Sequence, residues 1–587
     1  MHTDALVFTV EITVLLLGIM GDIAMATCPA ECQCNQEFYV YCQNANVGDS
    51  SLGKIVGKIS RDVVLLDLSG NALKTVPSRA FSRLSRLRVL DLQANKINTI
   101  SSSAFGGLAN LVTLRLNNNS LHSTSQSQWI GLRSLESLYL SSNYIDIIEP
   151  QTFLHLANLT KLYLDRNHIG VGVNGTFLGL HSLKLLDISR NVIHKIDSGC
   201  FSDLRELRRL QASYNELTSF DGAIFNGLVR LNYLHLDYNR LTDISNVSWS
   251  RLQDRLKTLT VSHNRLTSLH LDHFYGFRNL KKLRLGHNRI SVFPASALSG
   301  LFLDELSLTS NEISHVNRDM FSQVKRIVKL DLSANRISSM GTGCFDNFKD
   351  SVYVVNLNDN QLEKLNPGMF RGMTVLKILL IANNSIRTID KGSLRDLLQL
   401  EELSLVHNKL VTVNTDMLSG SLPNRLYLNC NPLQNFVGFT FSALQDPIQV
   451  FMNLTVTSET TDRVIVRWPY KGGSQVYWTL SVTCVRGETC RTDRRKDMYL
   501  PPYKQECLVT RLSPQSVYYI CVRPVFVEEV SRVVRLEQCV HVYTAGRGET
   551  SQRPISVTSL STSGEQSTCI PSFVLVVLVV LHTLSVV

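Results

Sequence analysis

The chain lacks the short motifs that mark common catalytic centres. It holds no His-Glu-x-x-His and no Gly-x-Ser-x-Gly, which excludes a helical zinc-protease pair and a nucleophile elbow. Gly48-x-x-x-x-Gly53-Lys54 comes near a phosphate-binding loop. Ile55 stands where Ser or Thr would reach magnesium, and no helical setting is expected there. Acidic residues are scattered along the chain instead of paired across a cleft. His263 and His287 hold matching places in neighbouring segments and are expected to stack, but no third ligand accompanies them. Neither a metal nor a cofactor is therefore expected. Lys and Arg are missing from the first 26 residues and from Phe573 onward. Acidic charge is in deficit too: 59 Lys and Arg face 49 Asp and Glu, a formal net charge of +10. Such a surface attracts acidic partners. These absences leave binding, not catalysis, as the class of function.

What the chain has in abundance is one pattern, Leu-x-x-Leu-x-Leu-x-x-Asn-x-Leu. Sixteen copies, 23 to 25 residues apart, run from Val63–Leu73 to Pro423–Leu433. A fixed period of this size signals stacked supersecondary units instead of one globular core. Positions one, four and six point into the stack, and the segment around position four alternates like a short strand. The asparagine at position nine, as in Asn71, Asn191 and Asn431, is read as structural, because a buried amide must be hydrogen-bonded. Ten residues further on stands a large apolar residue, for example Phe81, Trp129, Phe201 or Phe345. That column is read as the packed back of the stack.

With these residues in view, the chain resembles extracellular leucine-rich-repeat proteins of the 24-residue type. The resemblance implies an α/β solenoid, a horseshoe with a parallel sheet on its concave side. It covers the span from about Thr27 to Leu433. Cys28, Cys32, Cys34 and Cys42 resemble the N-terminal cap of that family, in which the implied pairing is Cys28–Cys34 and Cys32–Cys42. A zinc site is the alternative reading of clustered cysteines, but entry into the secretory pathway favours disulfides. An apolar run from Ala5 to Gly21 followed by Ala24-Met25-Ala26 reads as a signal peptide. Six N-x-S/T sequons, at Asn118, Asn158, Asn174, Asn246, Asn383 and Asn453, suit the same compartment. Cys200 and Cys344 share one repeat position six repeats apart and read as buried free thiols.

Beyond the repeats the usual Asn-Pro-x-x-Cys-x-Cys closing cap is replaced by Asn431-Pro432-Leu433-Gln434-Asn435-Phe436-Val437, with Cys430 just ahead. We expect the next domain to pack on the last repeat. From Pro447 to Ala545 short alternating strands indicate a β-sandwich. Leu512-x-Pro514-x-x-x-Tyr518 resembles the tyrosine corner of fibronectin type III domains. Cys521 and Cys539 fall on the expected last two strands and can pair, while the pairing of Cys430, Cys484, Cys490 and Cys507 stays open. The expected organisation is a signal peptide (1–26), cap (27–62), repeats (63–433), reduced cap or linker (434–446), a fibronectin type III-like domain (447–545), a Ser/Thr-rich stalk (546–563) and a GPI-attachment propeptide or membrane segment (564–587). Ser561, Ser563 and Gly564 are the attachment candidates.

Function is expected in the variable strand-face positions of repeats five to ten. The candidate ligand residues are Tyr163, Arg166, Arg190, Arg208, Arg209, Tyr214, Tyr233, His235, Tyr238, Lys281, Lys282 and Arg284. Tyr and Arg dominate interface energetics, and the local cationic excess suits an acidic protein or heparan sulfate. Nucleic acid is not expected in this compartment; a homodimer is compatible with the face. The architecture resembles receptors that join leucine-rich repeats to one fibronectin type III domain, such as the fibronectin-leucine-rich-transmembrane family, with a GPI-like tail as the departure. The implied role is a cell-surface adhesion or recognition receptor. The alternative is an extracellular-matrix component or a pathogen-recognition immune receptor.

Overall fold

The computed structural model describes residues 28–437, apart from 36–37, 221–222, 245–248, 271–273, 292–293, 296 and short stretches between 415 and 434, together with the backbone strands between 448 and 543. The expected signal peptide, the stalk, the tail with Ser561, Ser563 and Gly564, and the sequons Asn246 and Asn453 lie outside the described residues. The chain divides into two compact units, Met1–Tyr144 with Thr152–Leu159, and Ile145–Gln151 with Thr160–Val587. The division falls inside the repeat array, which an even spacing does not announce.

In the first unit, disulfides join Cys28 to Cys34 and Cys32 to Cys42. Strands Gln33–Asn35 and Tyr39–Tyr41 pair antiparallel, and Tyr39–Tyr41 then pairs parallel with Leu65–Asp67, the first repeat strand. Val89–Asp91, Thr113–Arg115 and Ser137–Tyr139 follow in parallel register. An α-helix, Asp49–Lys58, occupies the stretch where no helix was expected. It buries Leu52, Ile55 and Val56 and starts at Gly48 as its N-cap. Gly53 and Lys54 therefore sit inside the helix instead of in a loop before it. The helical N–H groups there are committed to the helix and form no phosphate cradle. The Asp49 carboxylate accepts the N–H groups of Lys74 and Thr75 at 2.8 and 3.2 Å, tying the helix to the first repeat.

In the second unit, twelve repeat strands run in parallel register from Lys161–Tyr163 to Arg425–Tyr427. The register is strict: position four pairs with position four, as in Leu186, Leu210 and Leu234. These leucines are almost wholly buried, each contributing about 1.5–3 kcal/mol on removal from water. Behind them the apolar rings pack in sequence, Phe177 on Phe201 at 6.0 Å and Phe345 on Phe370 at 6.3 Å between centroids. The asparagines form a second buried column. Asn191 donates to the carbonyls of Leu164 and Ile188 and accepts the Ile169 N–H, all within 3.0–3.1 Å.

The expected α/β class is corrected by the return segments. Among the described residues the one α-helix is Asp49–Lys58; the returns hold turns and short 3-10 pieces such as Gln126–Trp129 and Asp319–Phe321. The fold is a β-solenoid. The reason is length. Between Val76 and Leu87 the chain must turn twice and bury Phe81 and Leu84, and it does so through i→i−3 bonds such as Leu84 N–H to the Phe81 carbonyl at 2.9 Å.

After the last repeat, Ile448–Phe451 pairs parallel with Arg425–Tyr427 as one more rung, and Val534–Arg535 pairs parallel with Ile448–Phe451. Asn435–Val437 pairs parallel with Thr412–Asn414, and the other strands from Thr455 onward form two antiparallel sheets. One has the order Thr455–Thr460, Arg463–Arg467, Glu506–Val509. The other has the order Arg495–Leu500, Val476–Arg486, Val517–Phe526, Gln538–Tyr543. No helix among the described residues is long and apolar enough to cross a membrane.

Candidate functional site

The open face of the strand ladder is built from positions two, three, five, seven and eight, because position four is turned into the core. Position eight is conformationally unusual. Arg166, Arg190, Tyr214, Tyr238, His263 and His287 all have φ between 53° and 57°. A non-glycine residue in this left-handed region costs about 1–2 kcal/mol. Backbone bonding holds it there: the N–H groups of Arg190, Tyr214, Tyr238, His263 and His287 donate to Ser213, Asp237, Ser262, Gly286 and Thr309 carbonyls of the following repeat, at 2.7–2.9 Å.

This backbone column brings side chains into a continuous stack. The Arg190 guanidinium lies 4.0 Å from the centre of the Tyr214 ring. Tyr214 stacks on Tyr238 at 4.1 Å, Tyr238 on His263 at 3.9 Å and His263 on His287 at 3.9 Å, with planes within 10° of parallel. Each aromatic pair is worth about 0.5–1.5 kcal/mol and an exposed Arg–ring contact about 0.5–1 kcal/mol. Tyr214 and Tyr238 remain 38% and 40% exposed, so the stack is ordered without being covered.

Beside the stack, Asp237 organises the strand positions. Its carboxylate accepts the Thr260 hydroxyl and, at 2.7 Å, the Ser262 N–H. His235 Nδ1 lies 3.2 Å from the Thr260 hydroxyl. Burial pushes His235 below the ordinary histidine value, with Arg209 and Arg284 acting the same way and Asp237 opposing them. Burial and the neighbouring His287 also lower His263. A hydrogen bond with Tyr214 holds the Tyr238 phenol above its usual range. Asp187 is raised by burial despite hydrogen bonds from Ser189.

The structure joins some of the expected residues and separates others. Arg190, Tyr214 and Tyr238 share the stack, which continues into His263 and His287, two residues the ligand reading did not include. Arg209 lies over Tyr233 at 4.8 Å. Arg284 and Lys282 share Glu305, at 2.6 and 3.9 Å, so part of the expected positive excess is neutralised. Glu305 belongs to repeat eleven, just outside the span read for charge. Arg208 and Lys281 are the residues directly before strands Arg209–Gln211 and Lys282–Arg284. Tyr163 pairs in register with Asp187, and Arg166 approaches Asp165 at 4.0 Å; neither takes part in the ring stack. Among the described residues no group of His, Cys, Asp and Glu is placed to hold a metal ion.

The cysteines and sequons are placed as follows. Cys200 and Cys344 are buried free thiols whose pKa is pushed up to about 12 by burial. Cys430 is disulfide-bonded. Cys521 and Cys539 are direct partners across an antiparallel strand pair. Asn118, Asn158, Asn174 and Asn383 are exposed. Asn118 and Asn383 sit at the same left-handed position eight as the ring stack.

The leucine-rich-repeat family model matches residues 61–121, 109–169, 173–217, 254–302, 302–351 and 350–410. The chain is 39% identical over 69 residues to human leucine-rich repeats and immunoglobulin-like domains protein 2, covering 12% of this chain and 6% of that protein. It is 34% identical over 89 residues to mouse podocan, covering 15% of this chain and 14% of that one. The matches thus span a small part of these relatives. A Leptospira interrogans leucine-rich-repeat protein of known structure superposes with a TM-score of 0.54 at 28% identity, covering 66% of this chain and 95% of that one. A chain of the Drosophila Toll–Spatzle complex superposes at 0.53 with 22% identity, over 68% of this chain and 51% of that one, a likeness of fold alone. The family matches together take in more than half of the sequence, and the chain belongs to the leucine-rich-repeat family.

Proposed function

We propose that the chain is an extracellular recognition protein that binds a protein partner along the strand face of repeats five to ten, with the position-eight stack as its anchor. One observation carries this reading: Arg190, Tyr214, Tyr238, His263 and His287 are held in a single exposed stack before any partner arrives. Binding ordinarily costs about 0.5–1.5 kcal/mol for each side chain it immobilises. A stack ordered in the free protein avoids most of that cost, and Tyr and Arg are the residue types that hot spots favour. The two disulfides of the N-terminal segment support an oxidising compartment.

The same proposal includes two accessory parts. Three- and four-stranded antiparallel sheets in the order found for residues 455–543 suit a fibronectin type III-like sandwich. That sandwich would act as a spacer starting near Thr455, since Ile448–Phe451 belongs to the repeat ladder. A membrane tether through a GPI signal near Ser561, Ser563 and Gly564 completes the reading, and release of the protein from cells by a phosphatidylinositol-specific phospholipase tests it. The binding role is tested by screening the protein against cell-surface and secreted proteins, then repeating each positive with Tyr214→Ala/Tyr238→Ala. The expected result is at least a tenfold loss, about 1.4 kcal/mol. A partner that binds the variant as well as the parent overturns the assignment.

A further inference from the structure

Position two of the repeats forms its own row on the second unit. The Arg208 N–H donates to the Lys184 carbonyl, Asn232 to Arg208, Lys257 to Asn232, Lys281 to Lys257 and Asp304 to Lys281, all at 2.7–2.9 Å. This chain of bonds puts the side chains of Lys184, Arg208, Lys257 and Lys281 in one line, interrupted by the neutral Asn232. At about 4.8 Å per rung, the four cations span about 19 Å. The row ends at Asp304, which is itself engaged by Arg326 at 3.0 Å.

The cations of this row have no counter-charge, unlike several of the cations around them. Lys282 and Arg284, one and three positions after Lys281, share Glu305, and Arg230 and Arg240 pair with Glu206 and Glu216. Among the described residues no carboxylate lies within ion-pairing distance of Lys184, Arg208, Lys257 or Lys281. The acids of this face, Asp165, Asp187 and Asp237, stand at positions five and seven, with Asp187 and Asp237 engaged by Ser189, Thr260 and Ser262. Unpaired cations in a line, two on either side of a neutral rung, match a linear polyanion better than a folded acidic patch. A folded partner would bring discrete carboxylates to discrete partners.

We propose that this row is the seat of a sulfated glycan chain, bound lengthwise across repeats six to ten. The inference rests on the extracellular placement argued above but not on the ring stack. Because the contacts are exposed, affinity comes from counter-ion release and falls with salt. Taking the rule for a flexible single-stranded polyanion, four contacts give a slope of about −3 in log affinity against log salt, or about twentyfold between about 0.1 and 0.3 M.

The test uses the purified full-length chain, immobilised through a tag, and titrated with heparin oligosaccharide across that salt range, with unsulfated heparosan as the control. Heparin is expected to bind with the steep slope and heparosan not to bind. The variant Lys184→Gln/Arg208→Gln/Lys257→Gln/Lys281→Gln is expected to lose at least tenfold and to flatten the slope. Arg240→Gln, a cation paired with Glu216 away from the row, is expected to bind like the parent. Thermal unfolding of each variant separates lost binding from lost folding. Heparin binding that is absent at about 0.15 M salt, or unchanged in the four-site variant, overturns the proposal. Binding of a poly-glutamate peptide to the row without heparin binding overturns it in favour of an acidic protein. Tyr214→Ala/Tyr238→Ala is expected to keep heparin binding, so failure here leaves the protein-recognition reading standing, and the reverse.

Discussion

Substituting Asn215 by alanine gives a local defect whose size is readable from its bonds. Asn215 Nδ2 donates to the Ile188 and Ala212 carbonyls at 3.0 and 3.1 Å, and its Oδ1 accepts the Ile193 N–H at 3.0 Å. Both carbonyls keep a second donor, Asn191 Nδ2 for Ile188 at 3.1 Å and Asn239 Nδ2 for Ala212 at 3.0 Å. The Ile193 N–H has no other acceptor among the described residues. An orphaned buried donor costs about 1–3 kcal/mol and two forfeited bonds add roughly 1 kcal/mol, so Asn215→Ala is expected to cost about 3 kcal/mol. In a solenoid each repeat leans only on its neighbours, so the loss is local. Hydrogen exchange should show the Ile193 amide losing protection first, with urea unfolding at a lower midpoint. An unchanged Ile193 exchange rate together with a loss below about 1 kcal/mol would refute the ladder argument.

Other expectations follow from titration and thiol chemistry. His235 and His263 have folded-state pKa values below the ordinary histidine value. Their contribution to stability is complete above the unfolded value of about 6.5 and is lost as pH falls below it. Urea midpoints should therefore drop as pH falls below about 6.5, and His263→Gln should reduce that drop. Cys200 and Cys344, with thiols pushed up to about 12, should resist alkylation in the native protein and react fully only in denaturant. Cys521 and Cys539 are register partners across an antiparallel strand pair, a spacing that suits a bridge, so peptide mapping without reduction should recover them joined. Separate recovery would contradict the pairing.

The repeat core was readable because its signal is redundant. Leu186, Leu210 and Leu234 recur at one spacing and carry one role, so period alone places them in register. Asn191 and its counterparts were legible for the same reason. The helix Asp49–Lys58 was not, since it occurs once, carries two glycines and takes its stability from burying Leu52, Ile55 and Val56. The return segments misled the class assignment, because Phe81 and its counterparts fit helix and turn alike. The site was half legible. Arg190, Tyr214 and Tyr238 stand out as residue types, but their union with His263 and His287 depends on a positive φ that recurs at position eight. Reading that column downward, as Arg, Tyr, Tyr, His, His, is the signal that finds it. Glu305 was missed because it neutralises Arg284 from the next repeat.

The central claim is that the position-eight stack is ordered in the free protein and anchors the partner. Ring-current shifts and side-chain relaxation of Tyr214, Tyr238, His263 and His287, measured by NMR on free protein and followed through titration with the partner found by screening, test it directly. Ordered, mutually shielded rings in the free state, with chemical shifts that move on binding and an affinity that collapses in Tyr214→Ala/Tyr238→Ala, are the predicted result. Rings that rotate independently in the free protein, or that are unaffected by a bound partner, would contradict it.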